Sequence, residues 1–128
     1  MMEEEIKKLI IELGGDVCGI AGIKRFEDAP EGFHPRDIFP KCNSVIVFGV
    51  ALPQGVFQSQ ARLVYSHFNS LICSKVDEIT LNAAKKIEEK YGKITTPVPC
   101  DGPYEYWDAE NLEGKGLLSM KHAAYLAG

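Results

Sequence analysis

The chain has 128 residues, 45% hydrophobic and 25% charged, which is the material of one globular domain with a single modest core. Its 18 acidic against 14 basic residues leave a net charge of −4, which excludes the positive field that holds a polyanion nonspecifically, so no direct nucleic-acid binding is expected. The longest apolar runs, Val45 to Phe48 and Val50 to Leu52, fall far short of the ~20 residues that cross a bilayer, and the acidic opening Met1-Met2-Glu3-Glu4-Glu5 is unlike a basic leader. The expectation is a soluble cytoplasmic protein with no membrane partner.

From Glu3 to Leu13, Ile6, Leu9, Ile10 and Leu13 recur at helical intervals opposite Glu4, Lys7, Lys8 and Glu12, predicting an amphipathic helix. Gly14 and Gly15 supply the stop, and Val17 to Ile23 reads as a short strand. A dinucleotide loop follows a strand and opens a helix, whereas these glycines follow a helix and enter a strand, which argues against a phosphate-binding loop. Gly19 and Gly22 are expected to admit another backbone or a flat ligand at close range.

Lys24 to Lys41, with Pro30, Pro35 and Pro40, reads as a surface excursion holding at most one helical turn around Arg36 to Phe39. His34 has no second histidine nearby and reads as a structural or solvated loop residue rather than a ligand. Ser44 to Leu52 is the strongest strand and, being almost continuously apolar, is expected at the buried centre of the sheet. Pro53 and Gly55 close it.

No proline or glycine interrupts Ser59 to Tyr91, and Val64, Phe68, Leu71, Ile72, Val76, Ile79, Ala83, Ile87 and Tyr91 form one helical stripe. A helix of that extent measures about 50 Å, against a diameter of about 36 Å for a compact domain of this size. Either it breaks near Ser74 to Asp77, or one end projects and its stripe needs another surface, as in a homodimer through the 59–91 helix. Ile94 to Val98 reads as a third strand, completing a strand, helix, strand crossover. Pro99 to Leu118 reads as an aromatic-rich loop, and a last helix starts from Ser119 as N-cap and runs to the end. The expected fold is an α/β domain, a mixed sheet of few strands packed with one long helix and shorter helices.

Cys18, Cys42, Cys73 and Cys100 are 24, 31 and 27 positions apart, which is not metal-ligand spacing. Cys18 and Cys73 read as small buried hydrophobes. Cys100, in a Pro-Cys-Asp-Gly-Pro setting, is either inert or a reactive or cofactor-facing thiol. G-x-S-x-G, Walker, HExxH and EF-hand patterns are all missing from the sequence.

The region with chemical promise is Cys100 to Asp108, where acids sit beside flat aromatic faces after a strand. Asp101 against aromatics suits a proton donor, and Tyr104, Tyr106 and Trp107 suit stacking on a small planar cofactor or substrate. The alternative is that the rings cover a sheet edge and Asp101 starts a turn. Lys121 and His122, near the start of the last helix, either meet anionic or amide groups there or are solvated.

Cys100-Asp101-Gly102-Pro103 and the closing Ser119-Met-Lys-His-Ala-Ala-Tyr-Leu-Ala-Gly128 resemble the epoxyqueuosine reductase-like iron-sulfur proteins, in which a D-T-G-P type motif precedes a helix running into A-G-L-G-x-x-G-K-N. The Gly-Gly-Asp and Val-Cys-Gly-Ile-Ala opening and the Ser44 to Leu52 strand are similar to that family's N-terminal half. The resemblance implies an oxidoreductase of tRNA modification that uses a corrinoid and two [4Fe-4S] clusters, and an N-terminal α/β module that helps to hold the corrinoid. On that resemblance Asp101, with a shift of one residue, matches the proposed proton donor, and Gly102, Tyr104, Tyr106, Trp107, Lys121 and His122 are the cofactor-side residues.

The C-x-x-C-x-x-C-x-x-x-C-P runs that ligate the clusters do not occur in these 128 residues. The expectation is therefore an N-terminal piece that binds no cluster itself and has no reductase activity alone. A flavin-binding nitroreductase-like domain and a non-catalytic interaction module dimerising through the long helix are the alternatives.

Overall fold

A computed structural model describes residues 2–100, 106–108, 113–115 and 120–128. The chain adopts the α/β class with few strands, one long helix and several shorter ones. It groups into two compact units, Met1–Cys18 with Phe48–Cys100 and Gly19–Val47 with Asp101–Gly128, where the sequence suggests one domain.

In the first unit α1 (Met2–Leu13) buries Ile6 and Ile10, and α4 (Arg62–Tyr91) buries Ile79, Ala83, Ala84 and Ile87. Small residues at 83 and 84 let two helices approach closely while the isoleucines supply apolar area, each worth about 1.5–3 kcal/mol when fully buried. The stop of α1 is the expected glycine pair. Gly14 takes φ 119°, its N–H donates to Ile11 O at 3.1 Å, and Gly15 N–H donates to Ile10 O at 2.9 Å, satisfying carbonyls that the helix end leaves over. At the far end Tyr91 Oη donates to Glu5 Oε2 at 2.6 Å, and Gly92 caps α4 at φ 65°.

The long helix does not break. All 30 residues of α4 are continuous, about 45 Å at 1.5 Å per residue. Of the two expected alternatives, a break or a stripe left in need of another surface at one end, the described residues show the second, since the stripe is buried only in the C-terminal half. In the N-terminal half Val64, Ile72 and Val76 are half-buried, while Leu63, Tyr65, Phe68 and Leu71 are exposed. Before it lies α3 (Gln54–Gln58), N-capped by Pro53, which the sequence suggested only as a strand terminator. Val56 of α3 is buried, and Phe57 meets Tyr65 with ring centroids 5.8 Å apart.

Ile94 to Val98, expected as a third strand, is not one, and the crossover does not form. The reason is visible in its donors. Thr95 N–H goes to Glu88 Oε2 at 2.9 Å and Cys100 N–H to Asp77 Oδ1 at 2.8 Å, while Pro97 and Pro99 have no N–H to give. Side chains of α4 take the bonds that a neighbouring strand would have taken.

In the second unit β1 (Val17–Gly22) pairs with β2 (Ser44–Gly49). Asp16 N–H donates to Gly49 O at 2.8 Å and Ile23 N–H to Asn43 O at 2.9 Å, so the two strands run in opposite directions. β2 is half-buried from Val45 onward, not a central strand covered on both faces, because among the described residues β1 is its one partner in a two-stranded sheet. A 3-10 turn, Ile23–Phe26, follows β1 and drives Phe26 into the core with Ala21 and Ala123, against which Val45, Val47, Leu126 and Ala127 pack.

The expected single helical turn is α2 (Pro35–Ile38). The stretch read as loop from Pro99 to Leu118 contains a short antiparallel ribbon, β3 (Tyr106–Asp108) with β4 (Glu113–Lys115), in which Trp107 stands opposite Gly114. The last helix, α5, spans Met120–Ala127.

Candidate functional site

The candidate region begins where α4 holds the chain by its backbone. Asp77 lies on α4, and its carboxylate accepts the Cys100 N–H, fixing the residue immediately before Asp101. Cys100 is half-buried. Asp101, Gly102 and Tyr104 lie outside the described residues. Tyr106 and Trp107 are adjacent in β3, at register positions opposite Lys115 and Gly114.

Lys121 and His122 lie in the first turn of α5, and both are exposed. What α5 buries is the other side of the helix, Ala123 at 1% exposure with Leu126 and Ala127 packed alongside. The position of α5 is set by close approach. A Cβ placed on Gly19 of β1 would run into the Ala127 carbonyl, so the missing side chain is what lets the helix end lie on the strand. The partner foreseen for Gly19 is therefore a backbone. Among the described residues nothing lies within 4 Å of such a Cβ on Gly22. Arg25, from the 3-10 turn, donates from Nη1 to Leu126 O at 2.6 Å, placing a cation at the negative end of α5.

The Cys18 and Cys42 thiols carry little nucleophilic promise. Cys18 and Cys73, expected buried, are half-buried, as are Cys42 and Cys100. Burial pushes the Cys18 thiol above its ordinary range against a smaller opposing effect of Lys7. Burial likewise raises Cys42, opposed by its contact with Ser44 and by Arg36. A raised thiol is a poor thiolate source at neutral pH. Among the described residues no three His, Cys, Asp or Glu side chains converge as a metal site, and the dispersed cysteines do not fit a [4Fe-4S] cluster.

A surface groove lies within the first unit between α1 and α4, lined by Glu5, Lys8, Glu12, Lys86, Lys90 and Tyr91 among others. Neither Lys121 nor His122 lines it. The hydrogen bond from Tyr91, with a smaller contribution from Lys90, holds the Glu5 carboxyl below its ordinary value, and the same bond raises the Tyr91 phenol.

Two features carry signals that the sequence reading passed over. Arg25 follows the end of β1 by three residues, and its partner, the Leu126 carbonyl, is 101 positions away in the sequence. The three-residue strands β3 and β4 are too short for alternation to show. No protein-family model, curated protein or solved structure matches the chain.

Proposed function

We propose that this chain is the cofactor- and substrate-facing N-terminal domain of an epoxyqueuosine reductase-like iron-sulfur oxidoreductase of the cytoplasm. The observation that carries the reading is the pairing in sequence of Cys100-Asp101-Gly102-Pro103 with the Ser119 to Gly128 helix segment. The described residues are compatible in one respect: Cys100 is anchored by Asp77, which gives the segment that follows a fixed origin. A bound corrinoid would supply the reductive chemistry, and the clusters would be held by cysteines outside these 128 residues. The roles of this chain are then to place Asp101 as proton donor to the reduced substrate and to wall the ligand with Gly102, Tyr104, Tyr106 and Trp107, with Lys121 and His122 meeting its polar groups. Alone, the chain has no reductase activity.

Asp101→Asn in the protein carrying its cluster-binding part tests the assignment. Turnover falls about 10²-fold or more, the scale of a lost general acid, while corrinoid content is unchanged. Unchanged turnover removes Asp101 from the mechanism.

A second reading is favoured by the exposed row Leu63, Tyr65, Phe68 and Leu71 on α4, in a stretch, Leu63 to Ser74, without a single Asp, Glu, Lys or Arg. It makes the helix a homodimer surface. Light scattering on the chain and on Leu71→Glu decides it: a dimer abolished by the substitution supports the reading, and a monomer in both refutes it.

A further inference from the structure

The N-terminus of α2 is closed by an unusual residue. His34 is its N-cap, with extended backbone at φ −85° and ψ 142°. Its Nδ1 accepts the Arg36 N–H at 3.0 Å, and Asp37 Oδ2 accepts the His34 N–H at 2.9 Å. This is the reciprocal arrangement usually built from a hydroxyl or amide cap and an acidic residue three positions on. Arg36 continues outward from that cap. Its Nε donates to Cys42 O at 2.9 Å and its Nη2 to Asn43 Oδ1 at 3.5 Å. Asn43 in turn accepts Ile23 N–H through its carbonyl. One residue therefore ties the α2 turn to the chain entering β2.

We infer that His34 is a proton-sensitive latch on the α2 turn: neutral imidazole holds the Arg36 N–H, and protonation releases it. The chemistry is that of the ring. A neutral imidazole has one acceptor nitrogen, whereas imidazolium has two donors and none. Serine, threonine, aspartate and asparagine caps do not lose their acceptor between pH 8 and 5; histidine does.

The charged groups bonded to it are Asp37 and Arg36 on α2, and the Arg36 side chain leads on to Cys42, whose thiol is the titratable group on the segment entering β2. The Asp37 carboxylate attracts an imidazolium, while Arg36 repels it. Neither restores an acceptor to Nδ1, so the Arg36 N–H loses its partner whichever prevails. The Cys42 thiol, raised by burial, stays protonated throughout that range.

The test is a heteronuclear NMR titration of the chain from pH 8 to pH 5, following the His34 ring and the Arg36 amide. At pH 8 the ring nitrogens show the tautomer protonated at Nε2. As the ring takes up its proton, the Arg36 amide proton moves upfield and its protection factor falls about fivefold, the equivalent of one lost cap. His34→Asn keeps a good cap that does not titrate, so its Arg36 amide stays level across the range. An Arg36 amide indifferent to ring protonation overturns the inference, as does the same pH response in His34→Asn.

Discussion

Gly19→Ala adds one methyl group at the point where β1 meets the end of α5. The new Cβ would lie 3.1 Å from the Ala127 carbonyl carbon and 3.2 Å from its Cβ, with the carbonyl oxygen closer still. These are backbone atoms and a short side chain, with no flexible tip to swing aside, so the last turn of α5 must shift. That movement strains the Arg25 to Leu126 bond and loosens the packing of Leu126 and Ala127 on Ala21 and Phe26. Overpacking of this kind costs about 1–3 kcal/mol. Gly22→Ala, three residues on, is the matched control. Its backbone is ordinary, at φ −68°, and nothing lies within 4 Å of the added methyl. There the substitution stabilises by about 0.4–1 kcal/mol, because alanine restricts the unfolded chain. Urea unfolding of the three proteins reads the difference, which is expected at about 2–3 kcal/mol with opposite signs at the two positions. In Gly19→Ala, amide exchange in α5 also accelerates. Equal stabilities for the two variants would refute the account of how α5 is seated.

Two further outcomes follow from the cores and the charge pairs. Phe26→Ala removes the largest fully buried side chain among the described residues, at 1% exposure, and costs about 3–5 kcal/mol in chemical denaturation; a loss below about 1 kcal/mol would mean that the second unit does not pack around this ring. The Glu5–Tyr91 bond is lost at both ends of the pH scale. Glu5 is held below its ordinary value, so its contribution is present above the unfolded carboxylate range and is lost as pH falls through the lowered value. Tyr91 is raised, so its contribution is present below the unfolded phenol value and disappears as pH climbs through the raised one. In Tyr91→Phe the Glu5 carboxyl, followed by carbon NMR, titrates at a higher pH than in the parent chain; an unmoved titration would remove the bond from solution.

The two longest helices, α1 and α4, were the most legible part of the sequence because each carries both a periodic face and a stop. Ile6 and Ile10 mark the buried face of α1, and Gly14 ends it with a positive φ. For α4 the absence of proline and glycine from Ser59 to Tyr91, followed by Gly92, fixes the element to within three residues at its start. The pattern reveals which face is apolar but not how much of it is covered, so exposed Phe68 and Leu71 read the same as buried Ile79 and Ile87.

Strands were harder, since their partners are remote in sequence. The β-forming residues of Ile94 to Val98 gave no hint that Glu88 and Asp77 would take two of the local backbone donors. The same limit applies to β2, whose apolar run resembles a central strand although among the described residues β1 is its single neighbour. At the candidate site, residue types and motif order were legible, whereas the Asp77 anchor, 23 positions upstream of Cys100, was not.

The most direct test of the proposed oxidoreductase role is cofactor analysis of the protein purified anaerobically with its cluster-binding part. The account predicts a corrinoid absorbance spectrum together with iron and acid-labile sulfide sufficient for two [4Fe-4S] clusters per chain. A yellow protein with flavin absorbance, or one carrying neither corrinoid nor iron, would contradict it.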